Sequence, residues 1–217
     1  QGLSLSTKKH LGGWSPTDET SLEAWYQYGV GITLNGSNVS EWADSSSENH
    51  DMTQSTAGEQ PAYSGGVLTF DGSDDNLASN QINLTAACTI ALRGDFSNAS
   101  GDTIMGDDET SNAFIKIQSS TVLRVRVTAG LVDFTLSSGT FGDDYLVITR
   151  DGSNSVNAFK NGVQISASQS RSGVIKIDNI GTNNGGTFFN GTLSEVVIFN
   201  STSAALTSNI NSRLSSL

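Results

Sequence analysis

The sequence predicts an all-β fold, a two-sheet antiparallel sandwich with short peripheral helices. The first observation is composition: only 15% of the 217 residues are charged and 23 are glycine. The chain is also rich in Ser, Thr and Asn, which favour turns and half-buried strands over helix interiors. Second, apolar and polar residues alternate with a period of two from residue 29 onward. Third, Asn-Gly and Asp-Gly pairs, which suit tight turns, separate the alternating segments.

Four segments predict individual strands. Residues 121–127 alternate strictly, which places Arg124 and Arg126 on one face of a strand, and residues 112–118 follow the same pattern. Residues 145–150 are more continuously apolar, as in an interior strand, and residues 193–199 resemble them. Because no helical crossover lies between these segments, we expect antiparallel pairing in a sandwich or barrel.

Two segments predict helices at the edges of the domain. Residues 18–26 predict one or two helical turns, capped by Asp18 or Thr17. Near the C-terminus, Leu206, Ile210 and Leu214 recur at a spacing of four. This spacing predicts a short amphipathic helix within residues 203–214 that closes the domain.

The chain divides into a flexible N-terminal arm, residues 1–16, and one domain, residues 17–217. Lys8, Lys9 and His10 form the basic cluster of the arm. The arm is interpreted either as a solvated tail or as a segment that docks on an acidic partner or a neighbouring subunit. Cys88 lies in an apolar run and is interpreted as a small core residue.

The formal net charge of −11 argues against two classes of partner. Nucleic acids and anionic membrane surfaces both require clusters of Lys and Arg. No run of 18 apolar residues suggests a transmembrane segment. We therefore expect no nucleic-acid partner and no membrane partner, while neutral sugars, cations and proteins remain compatible with the charge.

Four motifs resemble those of laminin G-like and concanavalin A-like jelly rolls. They are a Trp-x-Asp segment around Trp42, a Phe-Asp-Gly-x-Asp-Asp segment at residues 68–77, a hairpin at residues 146–163 and a closing strand at residues 189–200. The resemblance covers residues 22–215 in the order of the family. It implies a jelly-roll fold with Trp42 in the core, and family members often hold calcium at a sheet edge.

The combination of one jelly roll with a short polar arm also resembles virion proteins of tailed bacteriophages. This resemblance implies a non-catalytic structural protein, in capsid decoration or in a tail or fibre, with additional glycan adhesion. Its partners would be other virion proteins or further copies of itself, and its location the virion or the extracellular space. The alternative is a secreted carbohydrate-binding module or lectin-like adhesin.

Clustered carboxylates are the candidate metal ligands. They are Asp71, Asp74 and Asp75 in one segment and Asp107 and Asp108 in another. Calcium prefers several oxygen ligands of this kind, but Asp residues also cap turns on solvated loops. We expect that the domain requires no cofactor, and calcium is the metal that these clusters suggest.

Candidate ligand-binding residues are the aromatic side chains Trp14 and Tyr63, since aromatic rings stack on sugar faces. The competing interpretation is that Trp14 packs the arm against the sandwich or a neighbour. Catalysis is not predicted: a glycosidase needs two carboxylates that flank the bond, and Glu195 has no acidic neighbour two or four residues away along its strand.

Overall fold

Eighteen hydrogen-bonded strands form the body of the computed structural model, which describes residues 13–110, 112–184 and 186–217. The strands are β1 (Leu22–Tyr26), β2 (Ile32–Asn35), β3 (Asn38–Trp42), β4 (Met52–Thr53), β5 (Ala62–Ser64), β6 (Val67–Asp71), β7 (Leu77–Leu84), β8 (Cys88–Asp95), β9 (Asp102–Gly106), β10 (Phe114–Ser119), β11 (Val122–Val127), β12 (Gly130–Thr135), β13 (Asp143–Arg150), β14 (Ser155–Lys160), β15 (Val163–Gln164), β16 (Gln169–Ser170), β17 (Ile175–Ile180) and β18 (Asn190–Phe199). All their pairings are antiparallel, and the predicted all-β class is confirmed.

The first sheet is organised around β18. This long strand pairs with β6 and β1 on one side and with β8 on the other. Beyond β8 the sheet continues through β13 to β14, on which the short strands β15 and β16 lie. Strand β5 pairs with β6 at the opposite edge.

The second sheet runs in the order β4, β7, β17, β9, β10, β11 and β12. Strands β2 and β3 extend it beyond β4. One pairing, between Asn38 of β3 and Ala62 of β5, joins the two sheets along one side. The two sheets are therefore the layers of a sandwich whose strands share one continuous hydrogen-bond network.

The core lies between the two sheets. Ile90 and Ile148 from the first sheet and Ile115 and Val125 from the second belong to one fully buried apolar cluster. Trp42 and Cys88 lie in the same cluster, as predicted, and burial raises the pKa of the Cys88 thiol to about 11. A two-layer core of this kind explains the period of two, because alternate residues of each strand face it.

A C-terminal helix, α1 (Ala204–Leu214), covers the outer side of the first sheet. Its Leu206, Ile210 and Leu214 are buried against Val147 and Val197, which point away from the sandwich core. The backbone N–H of Leu206 donates to the Ser203 hydroxyl at 3.0 Å, which caps the first turn. The predicted amphipathic helix is confirmed.

The helix predicted for residues 18–26 is wrong. A 3₁₀ turn at Pro16–Asp18 precedes a strand, β1, and a second such turn lies at Ala57–Glu59. Ala24 and Tyr26 face the sandwich core, whereas Trp25 joins the cluster beneath α1. Both faces of β1 are buried, so its apolar residues do not alternate with polar ones. The sequence therefore lacks the period of two that would have predicted a strand.

The predicted arm, residues 1–16, lies mostly outside the described residues, including Lys8, Lys9 and His10. Its described end begins at Gly13, and Trp14 contacts the cluster beneath α1. Within the described part of the chain, no helix has the length and apolar character needed to cross a bilayer.

Candidate functional site

The outer face of the second sheet carries an unusual concentration of positive charge. Alternation buries Ile115, Ile117, Leu123 and Val125 in the core and turns the side chains between them outward. We call the outward-facing residues of the three neighbouring strands the cationic face: they are Phe114, Lys116, Arg124, Arg126, Leu131 and Asp133. The face combines three cations, one carboxylate and two apolar side chains in a chain whose net charge is −11.

The three cations of this face differ in their partners. Arg124 donates to both carboxylate oxygens of Asp133, at 2.7 and 2.8 Å. This pairing raises the pKa of Arg124 and lowers that of Asp133. Lys116 Nζ lies 3.3 Å from the Thr187 hydroxyl. Burial lowers the pKa of Lys116.

Arg126 has no carboxylate within ion-pair distance among the described residues. One terminal nitrogen donates to the Asn112 side-chain oxygen at 3.2 Å, and the guanidinium carbon lies 5.9 Å from the centre of the Phe114 ring. Its Nε is buried and has no hydrogen-bond partner. The Nε is not accessible to a ligand, but the terminal nitrogen that does not bond Asn112 can still donate to an incoming acceptor.

A loop between β17 and β18 forms one wall of the cationic face. The Thr103 hydroxyl donates to the Asn183 side-chain oxygen at 2.9 Å and lies 3.2 Å from the Thr187 hydroxyl. Gly106 permits this close approach, since a Cβ there would lie 2.8 Å from the Asn183 Cβ and 2.7 Å from the Ala113 carbonyl oxygen. Thr103 and Asn183 are themselves buried, so the exposed hydroxyl of this wall is that of Thr187. Phe114 is half-buried.

The structure brings the three carboxylates of the first predicted cluster close together. Asp71, Asp74 and Asp75 bring one carboxylate oxygen each to within 4.8 Å of one another. The Asp71 backbone N–H donates to Asp75 at 2.9 Å. Burial raises the pKa of Asp75 to about 6, and the charges of Asp71 and Asp74 act in the same direction. The donor set is suited to a hard cation such as calcium.

The other two predicted metal ligands form a separate group. Asp107 is fully buried and accepts from Gln81 at 3.1 Å and from the Thr110 hydroxyl at 2.5 Å. The Asp108 backbone N–H donates to Asp178 at 2.7 Å, and burial raises the pKa of Asp178. Among the described residues, only the Asp71 cluster brings three potential ligand atoms together.

The two predicted sugar-binding aromatics lie apart from the cationic face. Trp14 is half-buried; its Nε1 donates to Glu19 at 2.8 Å and its ring lies 6.3 Å from that of Phe199. It also lines a shallow depression of about 320 Å³ beside Arg213 of α1. Tyr63 belongs to β5 and packs its ring partly against the sandwich core.

Sequence reasoning missed Phe114, Asn112 and Arg126 as a group. The available signal was the alternation in residues 121–127, which indicates that both arginines share one face. It does not indicate which strand lies beside them or that Asp133 pairs with Arg124 alone.

Comparison with known proteins identifies the fold. No protein-family model matches the chain, and no curated protein matches it in sequence. Among solved structures, domain 4 of an extracellular arabinanase from Geobacillus stearothermophilus, in complex with arabinotriose, superimposes with a TM-score of 0.59 at 15% identity. That match covers 88% of this chain and 97% of the arabinanase domain.

Two larger proteins contain a similar domain. The ligand-binding domain of botulinum neurotoxin serotype D, in complex with N-acetylneuraminic acid, gives a TM-score of 0.61 at 14% identity. A sialidase from Trypanosoma rangeli gives 0.59 at 13%. Each match covers 90% of this chain, but only 51% of the neurotoxin chain and 32% of the sialidase chain. At these identities the likeness establishes the fold, so the predicted jelly-roll sandwich is confirmed, while the virion role remains a prediction.

Proposed function

We propose that this chain is a non-catalytic carbohydrate-binding domain and that it binds sugar on the cationic face. The observation that carries the proposal is the half-exposed Phe114 ring, bordered by the Asn112 amide and by Arg126, whose Nε has no partner. Sugar-binding sites combine an aromatic ring, which contacts the C–H groups of a pyranose, with amide and guanidinium groups that bind its hydroxyls.

The structural neighbours support this proposal. The arabinanase domain, which matches this chain over nearly its whole length, was solved with an oligosaccharide, and the neurotoxin domain with a sialic acid. The arabinanase domain has about this architecture over nearly its whole length, whereas the match to the neurotoxin covers 51% of that chain. The fold is thus compatible with sugar binding, although function depends on the residues of each site.

The proposal assigns no catalytic role to the buried carboxylates. Glu195 is paired with Arg213, and Asp107 accepts hydrogen bonds from Gln81 and Thr110. In most glycoside hydrolase families, two carboxyl groups face the substrate bond. Carboxylates that neighbouring side chains already occupy are poorly suited to that task.

The test is a glycan array on the full chain, followed by affinity measurement with the best ligand. We expect Phe114→Ala to weaken binding about 5- to 30-fold, since aromatic stacking on sugars contributes on the order of 1–2 kcal/mol. The control is Tyr28→Ala, because Tyr28 is also an exposed aromatic residue, 40% exposed, but lies outside the cationic face. Silence across the array, or full binding by a folded Phe114→Ala variant, would refute the proposal.

The calcium prediction is tested on the same array with calcium and again with a chelator. Three carboxylates this close repel one another, and a bound cation would remove that repulsion. If Asp71, Asp74 and Asp75 bind calcium, isothermal titration with calcium chloride will show one site that Asp75→Asn abolishes. No heat of binding in the wild-type chain would remove calcium from the account and leave sugar binding intact.

A further inference from the structure

We infer that the cationic face selects an acidic saccharide, one that carries a carboxylate, and that Arg126 forms the ion pair with it. This inference rests on the proposed function and makes it more specific. A neutral sugar would satisfy the Asn112 amide and contact Phe114, but it would leave the charge of Arg126 without a counterion. A carboxylate supplies the counterion and accepts from the terminal guanidinium nitrogen that does not bond Asn112.

Arg126 differs from the other cations of the face because, among the described residues, no carboxylate pairs with its guanidinium. Arg124, two residues earlier on the same strand, already holds Asp133 through two hydrogen bonds. Lys116 bonds Thr187, and burial lowers the pKa of Lys116, an effect that the nearby charge of Asp102 only partly offsets. An incoming carboxylate would therefore compete with a carboxylate at Arg124, whereas at Arg126 the existing acceptor among the described residues is the neutral Asn112 side-chain oxygen.

The neighbours of Arg126 favour a ring-shaped ligand. In the strand register, Arg126 lies between Phe114 on β10 and Leu131 on β12. Neighbouring strands are about 4.8 Å apart, so the two apolar side chains lie about 10 Å apart with the guanidinium between them. That distance accommodates a sugar ring or two over the apolar groups. Apolar flanks also strengthen an ion pair by excluding water.

The overall charge determines how the inference must be tested. A net charge of −11 repels an acidic ligand at long range, while Arg126 attracts it at contact. Added salt would weaken both effects, so the salt dependence of affinity does not isolate the contact. A comparison of acidic and neutral ligands of the same skeleton does isolate it.

The experiment measures affinity for two matched pairs by isothermal titration: trigalacturonate and 3′-sialyllactose, each compared with its own carboxyl methyl ester. We expect the acidic member of at least one pair to bind at least tenfold more tightly than its neutral partner. In Arg126→Gln this ratio should fall to about 1. The double variant Arg93→Gln/Asp143→Asn removes an ion pair of the first sheet, outside the cationic face, keeps the net charge constant and should retain the ratio.

Three results with the saccharide probes would overturn the inference. They are equal affinity for the members of both pairs, no binding of any acidic probe, and a ratio that persists in a folded Arg126→Gln variant. Equally tight binding of a DNA oligonucleotide would also overturn it, because it would indicate unselective attraction of polyanions. Equal binding of acidic and neutral sugars would leave the proposed function standing, whereas the absence of all sugar binding would refute both.

Discussion

Glu195 is a buried carboxylate that connects two strands and the C-terminal helix. It lies on β18 and accepts from the Trp25 ring nitrogen on β1 at 3.0 Å and from the Tyr28 backbone N–H at 3.3 Å. It also pairs with Arg213 of α1, whose guanidinium lies 4.7 Å from the centre of the Trp25 ring. The buried negative charge of Glu195 is tolerated because Arg213 and two further hydrogen-bond donors surround the carboxylate.

We expect Glu195→Ala to lower the free energy of unfolding by about 3–5 kcal/mol, because it leaves a largely buried Arg213 without its counterion. Glu195→Gln should cost less, since it retains one acceptor. Urea unfolding followed by tryptophan fluorescence measures both. Glu48→Ala, at an exposed carboxylate, is the control and should stay within about 0.5 kcal/mol of the wild type. An equally small effect at Glu195 would contradict the assignment.

Asp75 makes stability depend on pH in the direction opposite to that of a salt-bridged carboxylate. Burial raises its pKa to about 6 in the folded chain, against roughly 3.9 in an unfolded one. The folded state therefore binds this proton more tightly than the unfolded state. The resulting contribution to stability is complete below about pH 4 and is lost as pH rises through 6.

We expect Asp75→Asn to raise the melting temperature at pH 7.5, because the amide retains an acceptor for the Asp71 N–H without a buried charge. The gain should be about 1–2 kcal/mol, or about 2–8 °C, and should disappear near pH 4. Calorimetry in the presence of a chelator measures it, since bound calcium would favour the charged form. Asp74→Asn, at an exposed position of the same loop, is the control. A destabilised Asp75→Asn at pH 7.5 would show that the charge itself is needed.

At the scale of elements, α1 packs on the outer side of the first sheet, so this sheet lies between the helix and the second sheet. Ala91, Val147 and Val197 would be an exposed apolar patch without it, because alternation turns them away from the sandwich core. The helix has only 11 residues, too few for a stable helix in isolation. Its stability therefore depends on the buried face and on the Ser203 cap.

We expect Ile210→Ala to lower the free energy of unfolding by about 2–4 kcal/mol, because it removes a fully buried side chain between α1 and the sheet. Denaturant titration gives the value. Ser208→Ala, on the exposed side of the same helix, should change stability by less than about 0.5 kcal/mol. Similar small effects of both substitutions would mean that α1 is not packed as described.

At the scale of the whole molecule, 22 acidic residues face 11 basic ones. Such an excess of like charge opposes compaction through self-repulsion. We expect the melting temperature to rise by a few degrees between 10 and 150 mM sodium chloride, over which the screening length falls from about 30 to about 8 Å. The rise should be smaller at pH 4, where carboxylates take up protons. A melting temperature that salt leaves unchanged at pH 7.5 would indicate that the charges are already balanced locally.

The cationic face also has consequences at this scale. It collects three of the 11 basic residues on two adjacent strands, while the acidic residues are spread over both strands and loops. An acidic ligand is therefore attracted to one region of a surface that otherwise repels it. Such a distribution favours selectivity at contact over fast, long-range capture.

The sequence by itself determined the layered all-β class, the C-terminal helix and the core positions of Cys88 and Trp42. These features follow from local patterns, because a residue's period along the chain decides which face of its strand or helix it occupies. β1 was missed for the same reason: with both faces buried it has no alternating pattern. The Asp71 cluster was predictable because a single tight turn contains its members.

Only the tertiary structure decided which distant residues meet. Gln81 and Asp178 are separated by 97 residues and Thr103 and Asn183 by 80, yet both pairs are hydrogen-bonded. The pairing of Arg124, and not Arg126, with Asp133 depends on the register of β12, and a shift by one residue would have turned Asp133 inward. Register and strand order are set by the packing of all strands together, so the candidate site emerges only when the sheet is complete.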